Sequence, residues 1–330
     1  MEYLLLISIL VSFLLTILLL PKWIRTCRNI DLTWEDMNKF GHPKNVASSG
    51  GIVIVMAFVL GVLTYIALKT FIFSGTNMAL EIFALLSVIL ILGIVGLTDD
   101  LLGWKNNGLS MKIRLFLATA ASIPLVVINA GTHSMALPFF GLVNFGIFYP
   151  LLIIPLAVVG VSTTYNFLAG FNGLEAGQGV LILGFLSFVA YVTGSGWLAA
   201  VGLCMVGALV GFYVFNRVPA DVFPGDIMTY AVGALIAGMA ILGNFEKIAL
   251  IVFIPYIFEV VLKLRGGLKK HSFGIPTKDG ALKLPYDKVY GLEHLAILIL
   301  NRYGKATERK VTYLIHAFQI LFILVAFLML

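Results

Sequence analysis

The stretch YNFLAGFNGLEAGQG, from Tyr165 to Gly179, decides how the rest of the chain is interpreted. It carries two asparagines, a glutamate, a glutamine and four glycines, and it lies between long apolar runs. Lipid offers no hydrogen-bond partner to the free backbone groups of so polar and glycine-rich a segment. We therefore expect it to lie at a membrane edge or to line a wet cavity. The stretches GLTDDLLGWK (96–105) and VFPGDIMTY (222–230) share this character, and we expect all three to form one site.

The composition indicates a polytopic membrane protein. Of the 330 residues, 60% are hydrophobic and 12% are charged, whereas soluble domains carry about 25% charged residues. At about 20 residues per span, the apolar runs predict a single all-α domain, residues 1–330, with about ten transmembrane helices. The predicted spans are 2–21, 48–69, 80–98, 112–130, 148–168, 176–194, 197–215, 226–243, 248–264 and 311–330.

The basic residues predict how the chain is oriented. When the loops are assigned alternately to the two faces, all of the 22 Lys and Arg residues except Lys69 and Lys247 fall on one face. By the positive-inside rule this face is cytoplasmic, and all three polar stretches lie on it. The net charge of +6 therefore belongs to inner loops that meet anionic headgroups or an anionic substrate. It does not suggest a nucleic-acid partner.

Asp99 and Asp100 are adjacent carboxylates at the inner end of the third span. They could simply cap the span in water, but two neighbouring negative charges repel each other and need a counter-charge. Magnesium prefers carboxylate oxygen and keeps several waters, so the pair is either a solvated cap or part of a metal site. Lys112 and Arg114 open the fourth span, where cations could hold a phosphate or simply anchor the span.

Further oxygen donors follow in the other two stretches. Asn166 and Asn172 lie on either side of a glycine, and an asparagine offers a neutral oxygen to a metal. Glu175 opens the sixth span, where helix capping and small-residue packing are the alternative explanation. Asp226 follows a Pro-Gly pair at the start of the eighth span, where it could be an ordinary N-cap. Together with the aspartate pair, these donors match the ligands of a magnesium–phosphate site.

The order of these motifs resembles a known family. A DD pair at the end of a span, then NxxxGxNGLExGQ, then FxGD resembles the polyprenyl-phosphate N-acetylhexosamine-1-phosphate transferases. This family includes bacterial phospho-MurNAc-pentapeptide translocase and the eukaryotic enzyme that begins dolichol-linked N-glycan assembly. The central loop, the run TAASIPL (119–125) and the tail FGIPTKDGALKLPYDK (273–288) are most similar to the eukaryotic and archaeal branch. The resemblance covers essentially the whole chain.

The resemblance implies the reaction and the role of each matching position. UDP-N-acetylglucosamine and polyprenyl (dolichyl) phosphate would give polyprenyl-diphospho-N-acetylglucosamine and UMP, with Mg²⁺ or Mn²⁺ as cofactor. This is the first step of lipid-linked glycan assembly. The implied residues are Asp99 and Asp100 for catalysis, Asn166 and Asp226 for the metal, Glu35, Asp36, Met37, Asn172 and Glu175 for the nucleotide sugar, and Lys112 and Arg114 for the lipid phosphate.

Three features depart from the family's pattern. The glutamate that the family has shortly before the second span is Ala47 or Ser48 here, and the asparagine expected after the DD pair is Gly103. The third departure lies in the polar segment before the last span. Apart from these three, Arg114 stands where the family usually has a lysine for the lipid phosphate, and Lys112 could serve by a shifted register.

The segment from 265 to 310 is too polar to span the membrane. Its stretch 292–300 is nearly all apolar but too short to cross, so we expect an interfacial helix. In the resembling family an extramembrane segment here covers the nucleotide sugar. The family's histidine- and arginine-rich diphosphate motif is reduced to LKKHSFGIP. We expect its role to be filled by His271, Lys269 and Lys270.

Other functions remain open from the sequence alone. The same chemistry could use another UDP-N-acetylhexosamine for a cell-wall or surface polymer. A transporter would also place polar residues within its spans, but it would be expected to show broken helices in paired halves, and no internal repeat is seen. Membrane lipids are expected partners, and a homodimer is compatible with the sequence. The short loops favour a prokaryotic, archaeal-like cell membrane over the endoplasmic reticulum.

Overall fold

The chain is mostly helical in the computed structural model, which describes residues 5–73, 75, 78–105, 108–137 and 141–330. The α-helices of these ranges are α1 (Leu5–Asn29), α2 (Gly51–Phe71), α3 (Ala79–Lys105), α4 (Met111–Ala121), α5 (Ile123–Val127), α6 (Ile154–Tyr165), α7 (Leu174–Val192), α8 (Gly196–Asn216), α9 (Gly225–Gly243), α10 (Glu246–Val252), α11 (Ile254–Arg265), α12 (Leu292–Tyr303) and α13 (Glu308–Phe327). A π-helical turn, Tyr149–Ile153, leads directly into α6.

Seven of the described helices are long and apolar enough to cross a membrane: α1, α2, α3, α7, α8, α9 and α13. The polytopic membrane fold is therefore confirmed, but the number of about ten spans is not. The predicted spans 112–130, 148–168 and 248–264 fall on shorter helices. Prolines near the starts of α5, α6 and α11 divide them, because proline lacks the backbone N–H and clashes with the preceding turn.

Short hairpins interrupt the helices, so the all-α expectation was incomplete. Each hairpin is antiparallel and two-stranded, and its strands have only two to four residues. So few residues give no detectable alternation of apolar and polar side chains. The pairs are β1 (Thr33–Glu35) with β2 (Lys44–Ala47), β3 (Ser134–Leu137) with β4 (Gly141–Asn144), and β5 (Ile275–Pro276) with β6 (Leu282–Lys283).

Helix α9 lies at the centre of the bundle. It is the most buried of the seven long helices, and it packs against α2, α3 and α6. Gly96 on α3 allows a close approach, because an added Cβ there would lie 2.5 Å from the carbonyl carbon of Asp226. The end of α3 that carries Asp99 and Asp100 is therefore held against the start of α9.

Backbone hydrogen bonds join the loop before α9 to the strand β2 and the start of α2. The amide of Ala47 donates to the carbonyl of Asp221 at 3.1 Å, and the amide of Phe223 donates to the carbonyl of Ala47 at 2.8 Å. The amide of Gly50 donates to the carbonyl of Phe223 at 2.9 Å. The first loop and the FPGD motif therefore lie at the same end of the bundle.

The segment between α11 and α13 contains the β5–β6 hairpin and helix α12. The apolar run 292–300 forms most of α12, which confirms a helix there. This helix has 12 residues, fewer than a membrane span needs. It packs against α11 and α13. The interfacial position of α12 stays a prediction.

Candidate active site

A cavity of about 920 Å³ lies where the predicted loops meet. Its lining includes residues from the first loop, from α3, from the central motif, from the start of α9 and from the segment before α12. The sequence-predicted residues among them are Glu35, Asp36, Met37, Asp100, Asn166, Asn172, Glu175, Asp226 and His271. Residues from all three polar stretches therefore line one cavity; that they form one functional site stays a prediction.

Asp100 caps the first turn of α9. Its Oδ1 atom accepts a hydrogen bond from the amide of Asp226 at 2.7 Å, and its Oδ2 atom accepts one from the amide of Ile227 at 3.4 Å. Ser49 adds a side-chain hydrogen bond to the same carboxyl group. A carboxylate in this position satisfies two free amides and complements the helix dipole. Asp100 therefore fixes the backbone that presents Asp226.

Gly225 makes this close contact feasible. It adopts a φ of 72°, a conformation that is readily accessible to glycine and strained for other residues. An added Cβ would also collide with the carboxyl group of Asp100. The glycine of the FPGD motif thus serves both the turn and the approach of α3 to α9.

Asp99 faces a different partner from its neighbour. Its Oδ2 atom lies 2.9 Å from Nη1 of Arg114, and its Oδ1 atom accepts a hydrogen bond from the amide of Leu109. Nη1 of Arg114 also lies 3.7 Å from Oδ2 of Asp226. The guanidinium is therefore a counter-charge shared by two carboxylates that would otherwise repel each other. Lys112, the other cation predicted for the lipid phosphate, is exposed.

A threonine hydroxyl connects the two predicted metal ligands. Thr229 donates to Oδ1 of Asn166 at 3.1 Å and lies 3.1 Å from the carbonyl oxygen of Asp226. It also lines the cavity, and sequence reasoning did not select it. Its place three residues after Asp226 on a helix was the available signal, because residues at this spacing share a face.

The first loop is held against the central motif by buried polar contacts. Oδ2 of Asp36 accepts a hydrogen bond from Nδ2 of Asn172 at 2.9 Å. The amide of Asn172 donates to Oε1 of Glu308 at 2.9 Å, and Lys39 forms ion pairs with both Asp36 and Glu308. Glu308 belongs to no motif, and the sequence carried no signal for its role.

Asn38 connects three separate segments at the cavity. Its Nδ2 atom donates to the carbonyl of Gly170 at 2.8 Å, and its Oδ1 atom accepts from the amide of Gly274 at 3.1 Å. Glu175 organises the same turn, because its Oε1 atom accepts a hydrogen bond from the amide of Gly170 at 2.8 Å. Its Oε2 atom is buried and has no hydrogen-bond partner among the described residues.

The basic side chains of the LKKHSFGIP segment lie in different surroundings. His271 lines the cavity and stacks against Phe273, with 6.4 Å between ring centroids. The Nζ atom of Lys270 lies 4.7 Å from the centre of the Tyr286 ring, in a cation–π arrangement. Lys269 is exposed. Tyr286 itself contributes to the cavity lining.

Comparison with known proteins defines the family. The profile of glycosyl transferase family 4 matches residues 82–244. A protein of Saccharolobus solfataricus, provisionally named UDP-N-acetylglucosamine–dolichyl-phosphate N-acetylglucosaminephosphotransferase, is 32% identical over 97% of this chain and 95% of its own length. The chain belongs to glycosyl transferase family 4. The resemblance inferred from the motifs is therefore confirmed.

Two further relatives of this glycosyl transferase differ in the names they carry. A protein of Sulfolobus acidocaldarius with the same provisional name is 34% identical over 97% of this chain and 94% of its own length. A phospho-N-acetylmuramoyl-pentapeptide-transferase of Halalkalibacterium halodurans is 30% identical over 79% of this chain and 82% of its own length. The similarity thus extends to archaeal and bacterial members.

The donor set of this glycosyl transferase fits a magnesium ion that is completed by substrate. No group of three or more His, Cys, Asp or Glu side chains within the described ranges is arranged to hold a metal. The Asp226 carboxylate and the Asn166 amide nevertheless line one cavity and are hard oxygen donors. Magnesium is commonly bound by one or two carboxylates plus waters and substrate phosphates. The residues present therefore fit a site that depends on a phosphate-bearing ligand.

Proposed function

We propose that this chain transfers GlcNAc-1-phosphate from UDP-GlcNAc to a polyprenyl (dolichyl) phosphate and releases UMP. The observation that carries the proposal is the meeting of Asp226, Asn166, Asp36 and Asn172 at one cavity, although they come from separate loops. The names of the archaeal relatives support the choice of both substrates. The reaction would begin the assembly of a lipid-linked glycan for protein glycosylation.

The cavity is suited to a nucleotide sugar. Its volume of about 920 Å³ lies near the upper end of small-molecule sites, about 300–1,000 Å³. The residues proposed to bind the nucleotide sugar are Glu35, Asp36, Met37, Asn172, Glu175 and His271, and Lys269 and Lys270 add positive charge nearby. Aromatic rings of Trp34, Phe223 and Tyr286 are available for contact with the base or sugar.

The chemical step is a direct displacement at phosphorus. An oxygen of the lipid phosphate attacks the sugar-bearing phosphorus, a new P–O bond forms, and the bond to the bridging oxygen breaks so that UMP leaves with that oxygen. A phosphate monoester has a second pKa near ~6, so the nucleophile is largely ionised at neutral pH without a strong base. Trapping a phospho-sugar on an aspartate during turnover would overturn this scheme in favour of a covalent intermediate.

Each polar side chain has a distinct part in this step. Asp226 and Asn166 would hold Mg²⁺, or Mn²⁺ in its place, which when bound neutralises the charge of the diphosphate. Asp100 orients Asp226 through the first amides of α9. Asp99 and Arg114 form an ion pair beside the Asp226 carboxylate, and Arg114 would receive the lipid phosphate. Asp99 is the remaining candidate to complete the deprotonation of the lipid phosphate.

We place the reaction at the cytoplasmic face of a prokaryotic, archaeal-like cell membrane. The basic loops support this orientation by the positive-inside rule. The lipid phosphate would reach the site from the inner leaflet, and UDP-GlcNAc would reach it from the cytoplasm. Exposed apolar side chains along α1, α2 and α3 support contact with membrane lipids.

A second candidate is the same transfer with another UDP-N-acetylhexosamine. The observation that favours it is the similarity to a bacterial phospho-N-acetylmuramoyl-pentapeptide-transferase. The two candidates share the phosphate chemistry and differ only at the sugar. Competing UDP-sugars at equal concentration, with the lipid product identified by mass spectrometry, separate them.

The test is release of UMP from UDP-GlcNAc by the purified protein in lipid nanodiscs. We expect release only when both a polyprenyl phosphate and Mg²⁺ are added, and EDTA should stop it. Asp226→Asn should lose most of this activity, whereas Asp221→Asn should keep it. Asp221 is a matched control because it lies in the same loop but is exposed and paired with Arg28 at 3.0 Å. Full activity in Asp226→Asn would refute the metal assignment.

A further inference from the structure

The segment between α11 and α12, residues 266–291, is called the cover segment here because it contributes one wall of the cavity. His271, Phe273 and Tyr286 of this segment line the cavity. The ring of Phe273 packs so closely on the central motif that an added Cβ at Gly170 would lie 2.8 Å from it. The position of the cover segment therefore determines the shape of the pocket proposed for the nucleotide sugar.

Two side chains from one turn of α11 hold the two ends of this segment. Lys263 donates a hydrogen bond to Oγ of Ser272, near its first end. Oε2 of Glu259 accepts a hydrogen bond from the amide of Leu292 at 2.6 Å, immediately after its last residue. Nζ of Lys263 and Oε1 of Glu259 lie 3.5 Å apart. One ion pair thus connects the start and the end of the cover segment.

Water screens this ion pair less than it would screen one on the surface. The Glu259 side chain is 0% exposed and the Lys263 side chain is 11% exposed, so water screens them little. Removing one partner of a buried pair leaves an uncompensated charge and is strongly destabilising. The contacts at both ends of the cover segment therefore depend on both residues.

A second buried carboxyl group, that of Glu293, lies near Glu259. Glu293 is buried, and an added Cβ at Gly291 would meet both its Oε2 atom at 2.5 Å and Oε1 of Glu259 at 3.1 Å. Neither oxygen of Glu293 has a hydrogen-bond partner among the described residues. Burial, and then the charge of Glu259, raise the pKa of Glu293 well above its ordinary value. Burial also raises the pKa of Glu259, but the charge of Lys263, 3.5 Å away, acts in the opposite direction. Glu259 is therefore the ion-pair partner of Lys263, and burial opposes ionisation of Glu293.

We infer that Glu259 and Lys263 are positioning residues that fix the cover segment at both ends and thereby set the affinity for the nucleotide sugar. They do not line the cavity, so they act through Ser272 and Leu292 and not by touching substrate. The catalytic readout of this inference rests on the proposed function, whereas the mobility of the cover segment does not.

The test compares Glu259→Gln and Lys263→Met with the wild-type protein in nanodiscs. Hydrogen–deuterium exchange should become faster in peptides from the cover segment and stay unchanged in α7 and α8. The KM for UDP-GlcNAc should rise about tenfold because a charge-assisted contact is lost. The kcat and the KM for the lipid phosphate should change little. In the double variant, the changes in exchange rate and in KM should be smaller than the sum of the changes in the two single variants, because the two residues form one network.

Asp279→Asn is the matched control. Asp279 lies in the same cover segment and forms an exposed ion pair with Lys305 at 2.9 Å, and exposed pairs contribute little to stability. Its exchange and its KM should match those of the wild type. If the buried-pair variants fail to fold, Ser272→Ala provides the test, because it removes one contact without burying an unpaired charge.

Two results would overturn the inference. The first is that hydrogen–deuterium exchange in the cover segment of the folded variants is as slow as in the wild type. The second is that the variants lower kcat and leave the KM for UDP-GlcNAc unchanged. If the wild-type protein releases no UMP at all, the proposed function fails. In that case the exchange rates of the cover segment alone decide whether the buried pair positions it.

Discussion

Replacing Asp100 by asparagine tests how the site is built. Both carboxylate oxygens of Asp100 are occupied by amides of α9, at 2.7 and 3.4 Å. An asparagine keeps one neutral acceptor and loses the charge. Because these amides engage both of its oxygens, we expect Asp100 to act through the backbone of Asp226. The variant should therefore bind Mg²⁺ more weakly but still catalyse the reaction when Mg²⁺ is saturating.

The expected loss of Mg²⁺ affinity in Asp100→Asn follows from these two hydrogen bonds. A hydrogen bond to a charged acceptor contributes about 1.5–3 kcal/mol and one to a neutral acceptor about 0.5–1.5 kcal/mol. The substitution should therefore cost about 1–2 kcal/mol. Since 1.4 kcal/mol is a factor of ten, we expect the Mg²⁺ concentration for half-maximal activity to rise about 5- to 30-fold.

The assay is UMP release at increasing Mg²⁺, together with thermal unfolding of the same preparation. The melting temperature of Asp100→Asn should fall, because an N-cap of α9 is weakened, and Asp221→Asn should behave as the wild type in both measurements. The opposite result would be a loss of UMP-release activity of about 10⁴-fold, the upper range for a proton-transfer group. In that case no Mg²⁺ concentration would restore activity, and the melting temperature would be unchanged. Asp100 would then take part in the chemical step, and the positioning role would be refuted.

Three further predictions concern neighbouring contacts. Gly225→Ala should abolish activity and lower the melting temperature, because its φ of 72° is strained for alanine and the new Cβ meets Asp100; a wild-type melting curve would contradict this. Arg114→Gln removes the counter-charge beside Asp226, so substrate-free protein should bind Mn²⁺ about fivefold more tightly, as measured by electron paramagnetic resonance, since a partly exposed pair contributes roughly 1 kcal/mol. Weaker Mn²⁺ binding would contradict the counter-charge role. Burial, and then the charge of Lys263, lower the pKa of His294 to about 4, below its ordinary value of ~6.5. The unfolded state then binds the proton first, so wild-type stability should fall as the pH drops from about 6.5 towards 4, whereas His294→Gln should lose less over this interval in thermal unfolding. The same dependence of melting temperature on pH in the wild type and in His294→Gln would contradict this prediction.

The sequence predicted which residues meet because polar side chains are costly within apolar spans. Asp100, Asn166, Asn172 and Asp226 stood out for this reason, and they line one cavity. The different surroundings of Asp99 and Asp100 were not predictable from the sequence. Successive helical residues point in directions about 100° apart, but only the neighbouring helices decide which of the two faces α9.

The contacts that hold the loops together could not have been predicted either. Asn38 and Glu308 belong to no recognised motif, and Glu308 is 136 residues away from its partner Asn172. Pairing over such separations depends on the packing of whole helices and leaves no local pattern in the sequence. The division of three predicted spans into shorter helices could have been predicted from their prolines, because a proline inside an apolar run predicts a break in the helix.

Two parts of the cavity wall, one near Asp226 and one near Asp36 and Asn172, are held by different kinds of contact. The wall near Asp226 is fixed by helix termini: α3 packs against α9, and Asp100 accepts hydrogen bonds from the amides of the first turn. The end near Asp36 and Asn172 is fixed by loop-to-loop hydrogen bonds through Asn38 and Glu308. Loops tolerate substitution and insertion better than packed helices do. Under the proposed function, we expect relatives with other sugar donors to differ mainly at the loop contacts near Asp36 and Asn172 and to keep the contacts around Asp226.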